Sequence, residues 1–90
     1  MEFEWDPAKA ARNLRKHKVS FHEASTVFGD TLSMTVADPD HSFDEKRYIT
    51  IGRSDRNRLL MVAHAARQER VRIISARTLT RRERIAYENT

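Results

Sequence analysis

An α+β domain, with two N-terminal helices, a four-stranded antiparallel sheet and a C-terminal helix, is the fold class this sequence predicts. Apolar residues recur at helical spacing before Gly29 and at closer, strand-like spacing after it. Polar connections of four residues, Ser54-Asp55-Arg56-Asn57 and Arg67-Gln68-Glu69-Arg70, separate the later apolar runs closely enough for hairpins. A Thr80-x-x-Glu83 capping box then opens a final helical stretch. Helices grouped ahead of strands belong on one antiparallel sheet rather than between parallel strands.

In chain order, Phe3 and Trp5 alternate with Glu2, Glu4 and Asp6, which predicts a short extended segment burying its two aromatics. Asp6-Pro7 reads as an N-cap followed by proline at the first helical position. Ala8, Ala11 and Leu14 mark the apolar stripe of a helix ending near His17, with Arg15, Lys16 and Lys18 opposite. Lys16-His17 sits where a helix dipole favours positive charge. Ser20 with Glu23 forms a capping box, and Phe21, Ala24, Val27 and Phe28 follow at helical spacing up to Gly29. Strands are predicted over 32–37, 46–53, 58–66 and 71–77, the first closed by Asp38-Pro39-Asp40. The last helix runs through Arg84, Ile85 and Tyr87.

Symmetric hairpins set an expected register. Arg53 faces Arg58, Ile49 faces Val62 and Arg47 faces His64; across the next hairpin Ala66 faces Val71 and His64 faces Ile73. One face then carries Arg47 with His64 at one end and Arg53 with Arg77 at the other, around an apolar middle. A slip of one residue would undo this grouping, because side chains alternate between faces.

Composition narrows the function classes. The 90 residues make a single domain, 1–90, with 39% hydrophobic and 33% charged residues. With no cysteine there is no disulfide, thiolate metal site or thiol nucleophile. No apolar run reaches membrane-spanning length and M-E-F-E-W lacks a signal pattern, so the cytoplasm is the expected compartment, with no membrane partner. Between Arg53 and Arg84, ten arginines stand against three acids, so that stretch is +7 while the remainder sums to −3. Charge this lopsided predicts a polyanion partner, RNA first.

F-E-W-D-P-x-K (Phe3 to Lys9), N-L-x-K-H (Asn13 to His17), V-S-F-x-E-A (Val19 to Ala24) and D-P-D-H-S (Asp38 to Ser42) follow one another in order. Ile51-Gly52, V-A-H (Val62 to His64) with Arg67, and I-I-S-A-R through R-R-E-R to Y-E (Ile73 to Glu88) continue the series. Together these resemble the BrnT family of ribonuclease toxins from type II toxin–antitoxin systems. The resemblance implies a RelE-like fold, metal-independent RNA cleavage that blocks translation and growth, and neutralisation by a cognate BrnA-like antitoxin. It also implies contact with operator DNA only through the antitoxin complex, as a homodimer or heterotetramer. Where the family often carries Thr-Glu, this chain has Ala65-Ala66. The alternative reading is therefore a weak or inactive module that binds RNA and antitoxin.

Metal-free RNA cleavage needs a base for the 2′-hydroxyl, an acid for the leaving oxygen and cations around the phosphorane. Arg67 and Arg77, with Arg47 third, are the expected phosphate ligands, since arginine forks match phosphate oxygens. His64 is the acid/base candidate, against the plainer reading of a strand histidine bonded to a backbone carbonyl. Glu83 reads as a cap before it reads as a base. Arg53, Arg81 and Arg84 are expected to grip RNA, along with Arg82, although a solvated face or an acidic antitoxin segment accounts for the helical ones equally. Tyr87 is a base-stacking candidate or a residue packed on the sheet. Asp38, Asp40, His41, Asp44 and Glu45 crowd carboxylates beside a histidine, but their spacing fits neither a calcium loop nor a zinc helix. No metal and no cofactor is expected.

Overall fold

A computed structural model describes residues 1–38 and 46–89. Their order is β1 (Glu2–Glu4), α1 (Pro7–His17), α2 (Phe21–Thr26), a 3₁₀ turn (Val27–Gly29), β2 (Met34–Ala37), β3 (Arg47–Arg53), β4 (Leu59–Arg67), β5 (Arg70–Thr78) and α3 (Arg81–Glu88). The helix starts follow their caps. Asp6 accepts from the Ala8 amide at 2.8 Å, Ser20 from Glu23 at 3.0 Å, and Thr80 from Glu83 at 3.2 Å. Lys18 ends α1 in the left-handed region at φ 61, its amide donating to the Leu14 carbonyl.

The sheet has five strands in the order β1-β5-β4-β3-β2. Four are the expected antiparallel set. The fifth is the Phe3 segment, which joins the edge of β5 in parallel, with Phe3 opposite Val71. Its alternation identified an extended segment, while its partner lay too far along the chain to be read.

The register differs from the symmetric expectation at one hairpin. Ser54 donates to the Arg58 carbonyl at 2.8 Å, so only Asp55, Arg56 and Asn57 form the β3–β4 loop, and Asn57 sits at φ 62. That single residue moves β4 by one. Arg47 faces Ala65 and Tyr48 faces His64, so Arg47 and His64 lie on opposite faces. The β4–β5 turn is tighter, Gln68-Glu69, and keeps the expected Ala66–Val71 and His64–Ile73 pairs. A bulge then inserts Ile74, after which Ser75 faces Ala63 and Arg77 faces Met61.

One sheet face is covered. Val19, Phe21, Ala24 and Val27 pack against Leu60, Val62, Ile73 and Ala76, flanked by Phe3, Trp5, Ala10 and Phe28. The 3₁₀ turn closes over β3 at Gly52, where an added Cβ would meet Ser33 Cβ at 2.8 Å and Val27 Cγ1 at 2.9 Å. The Ile51-Gly52 pair is thus explained by space. Gly52→Ala should cost about 1–3 kcal/mol, read as a lower midpoint in urea unfolding; an unchanged midpoint would show that the turn gives way freely.

Beneath that face, Glu23 is buried and accepts from Arg58 Nε at 2.9 Å and Ser54 Oγ at 2.7 Å. Arg58 Nη2 also bonds the other carboxylate oxygen and the Lys18 carbonyl. This network ties α2 to the β3–β4 hairpin, and Arg58 holds the Glu23 carboxyl below its ordinary range. α1 is tied by an amide instead. Asn13 Nδ2 donates to the carbonyls of Val19 at 2.9 Å and Ala76 at 2.8 Å, and its oxygen accepts from the Ala76 amide at 3.1 Å. A side chain here takes the place of a strand neighbour along β5.

Candidate functional site

The other sheet face is the one β3, β4 and β5 leave open. Alternation along the observed register brings Arg47, Ile49, Ile51 and Arg53 together with Leu59, Met61, Ala63, Ala65 and Arg67. From β5 it adds Arg70, Arg72, Ser75 and Arg77, and from β2 it adds Met34 and Val36. The floor is apolar and the arginines stand at its ends. Arg47, Ile49, Met61, Ala63, Ile74, Ser75 and Arg77 line a groove of about 280 Å³ on this face, together with one carboxylate, Asp38.

Arg77 is held in a fork. Its Nη1 lies 2.7 Å from Glu83 Oε1 and its Nη2 2.9 Å from Oε2, with Met61 Sδ at 3.3 Å. Glu83 Oε1 also accepts from the Thr80 amide at 2.9 Å, so one carboxylate caps α3 and orients the arginine. The Arg77 guanidinium, with the Thr80 amide, brings the Glu83 carboxyl down to about 2. Glu83 in turn raises Arg77 above its ordinary value. The sequence identified the cap but not the arginine it serves. A capping glutamate one turn into a helix that follows a strand-end arginine is the signal that carries that information.

The remaining candidates divide by partner. Arg47 is half-buried and makes no ion pair with another described residue. Arg67 is exposed at the end of β4. Its neighbours are offset: Arg72 lies 3.1 Å from Glu4, and Arg70 lies 3.7 Å from Glu2 and 3.9 Å from Glu4. The acids of β1 therefore return to the basic stretch and cancel part of its charge. Arg53 and Arg84 line a second hollow of about 280 Å³ with Thr78, Leu79 and Glu88, away from the first groove. Arg81 is exposed on α3. Tyr87 is half-buried and donates to the Leu32 carbonyl at 2.8 Å.

His64 is not brought to the arginines. It is 7% exposed on the covered face, its Nε2 2.8 Å from Thr50 Oγ1, which in turn lies 2.7 Å from Thr35 Oγ1. The Phe28 ring meets it edge-on at 4.8 Å and Tyr48 stacks at 5.8 Å. Burial lowers its pKa, so the ring is neutral at pH 7. The partner of this strand histidine is a threonine hydroxyl rather than a backbone carbonyl. Ala66, two residues on, is exposed on the same side as His64, so a glutamate there would not enter the arginine groove.

Among the described residues, no three His, Asp or Glu side chains gather to hold a metal ion. Of the acidic loop weighed above, Asp38 is described, while Asp40, His41, Asp44 and Glu45 lie outside the described residues. No helix among the described residues is long and apolar enough to cross a membrane.

Comparison with known proteins bears on what this face is for. Among solved structures, the crystal structure of the Brucella abortus ribonuclease toxin, BrnT, matches with a TM-score of 0.65 at 20% sequence identity. The match covers 90% of this chain and 99% of that one, and at this identity it establishes a shared fold. No curated protein sequence matches the chain. The family model described as "Ribonuclease toxin, BrnT, of type II toxin-antitoxin system" matches residues 5–83. With the fold and most of the chain in agreement, the protein belongs to the BrnT family of ribonuclease toxins of type II toxin–antitoxin systems.

Proposed function

We propose that the open face cleaves RNA by 2′-hydroxyl attack without a metal ion, blocks translation by doing so, and is silenced by a cognate antitoxin. The observation that carries this reading is the groove with Arg47 and Arg77 on its walls and Ile49, Met61 and Ala63 on its floor. Unpaired bases lie on an apolar floor while guanidinium forks meet the phosphate. In the step, the 2′-oxygen bonds to phosphorus and the bond to the 5′-oxygen breaks. The products are a 2′,3′-cyclic phosphate and a 5′-hydroxyl; water takes the first proton and returns one to the leaving oxygen. Arg47 and Arg77 stabilise the charge that builds on the equatorial oxygens, with Arg67 on the flanking phosphate.

Glu83 is a positioning residue here. A carboxyl at about 2 is ionised at neutral pH and has no proton to give, but it fixes the plane of Arg77. His64 takes no part in the step, being neutral, buried and on the other face. Arg53, Arg81, Arg84 and Tyr87 extend RNA contact beyond the reacting phosphate, and the antitoxin complex alone contacts operator DNA.

Two measurements test the reading. Purified chain free of antitoxin should cleave RNA in excess EDTA and leave cyclic phosphate ends; dependence on added magnesium would refute the metal-free step. Because arginine does not titrate, the pH–rate profile should show no inflection near the histidine range of about 6.5. A break there that disappears in His64→Gln would return the histidine to the reaction. RNA bound in a salt-sensitive way yet intact after long incubation would leave a binding module.

A further inference from the structure

We propose that the RNA track leaves the open face over the β5 bulge and continues into a basic groove between α1 and the edge of β5, which holds phosphates flanking the cleaved bond. This rests on the reading of the open face as the RNA site. β1 pairs with β5 only at Arg70–Arg72, so farther along, α1 rather than a strand lies beside that edge. The Asn13–Ala76 amide pair fixes the helix there. On the same flank of α1, Lys9, Arg12 and Lys16 are spaced three and four residues apart, forming a row about 10 Å long.

With His17, these cations wall a groove of about 260 Å³ that also touches Ile74 and Ser75. The same two residues, at the bulge, line the arginine groove of the open face. The two grooves therefore meet. Bulges occur where a strand must re-aim its side chains, and here Ile74 and Ser75 form the shared step between them.

Charge selects the occupant. α1 carries no acidic residue from Pro7 to His17, and Lys9, Arg12 and Lys16 are exposed and make no ion pair with another described residue. By contrast, Arg58, Arg70, Arg72 and Arg77 each receive a carboxylate from the fold. Cations left unmatched along a groove continuous with a phosphate site suit the same polyanion, whose phosphates release counterions on binding. An acidic protein segment would meet the same charge; continuity with the phosphate-binding groove favours RNA.

Binding of uncleavable 2′-deoxy strands of about four and about twelve nucleotides, spanning the usual footprint range of single-strand binders, tests this. The variant is Arg12→Gln/Lys16→Gln; the comparator, Lys18→Gln/Arg56→Gln, loses the same charge away from the groove. The groove variant should bind the long strand about tenfold more weakly at 0.15 M salt, with a salt slope shallower by about 1.4 for two lost contacts. It should bind the short strand like wild type, and the comparator should match wild type with both. Unchanged long-strand affinity, or equal losses in both variants, would overturn the proposal. So would intact RNA binding alongside lost affinity for a polyaspartate peptide, which would assign the groove to an acidic partner. Failure of the underlying RNA-site reading shows separately: Arg47→Ala/Arg77→Ala would then hold the short strand as wild type does, and the track would fall with it.

Discussion

Arg77→Ala should lower RNA cleavage at saturating RNA by about 10²–10³-fold, the usual cost of removing one preorganised donor from a transition-state site. Its Nη1 and Nη2 lie 2.7 Å and 2.9 Å from the two oxygens of Glu83, so the plane of the guanidinium is already fixed before RNA arrives. Arg77→Lys keeps the charge and loses the plane, and should recover little of the rate. Unfolding does not explain such a loss. The Arg77 and Glu83 side chains are 37% and 31% exposed, and pairs of that kind contribute about 1 kcal/mol or less. Single-turnover rates and thermal midpoints on the same samples separate the two effects. A variant that cleaves within a fewfold of wild type would remove Arg77 from the reaction.

Glu23→Ala should have the largest effect on stability, about 3 kcal/mol, because it strands a guanidinium that the fold has surrounded. For a domain of this size that is a fall of roughly 12–24 °C in melting temperature. The figure sits at the low end for a broken buried pair, since Glu23 is 4% exposed but Arg58 reaches 34%. The pH dependence has a definite sign. The folded pKa of Glu23 lies below the ordinary glutamate value of 4.5, so the unfolded chain takes up the proton first. The contribution is complete above about pH 4.5 and is lost as pH falls through the folded value. Glu83 adds a smaller loss in the same direction, extending down to about 2. Acid unfolding of Glu23→Ala should therefore be flatter than wild type across that window. A midpoint within a few degrees of wild type at pH 7 would show that Arg58 finds water as readily as it found Glu23.

How much of this was legible in the chain depends on whether the information was local. The caps at Asp6 and Thr80 are written within four residues and form as expected, whereas Ser20 makes only its half of the box, because the Glu23 carboxylate turns to Arg58 and Ser54 instead. Which side chains share a sheet face was not local. Asn57, entering the left-handed region, shortened one loop and turned β4 over, sending His64 to the covered side. The bulge at Ile74 then turns the far end of β5 back, so Arg77 shares a face with Arg47 although the strand between them is turned over relative to the symmetric register. Two single-residue displacements offset each other. The Arg77–Glu83 fork and the β1–β5 pairing joined residues whose relation only the assembled sheet reveals.

Asn13 is the one buried residue of α1, and it is an amide. An apolar contact can slide by a fraction of a turn at little cost, whereas a donor–acceptor pair to the N–H and C=O of one residue has a single setting. α1 is thereby indexed to Ala76 as a strand is indexed to its neighbour, residue by residue. Its cations inherit that indexing, and their distance from Arg77, one residue along β5, is fixed by covalent geometry and two hydrogen bonds.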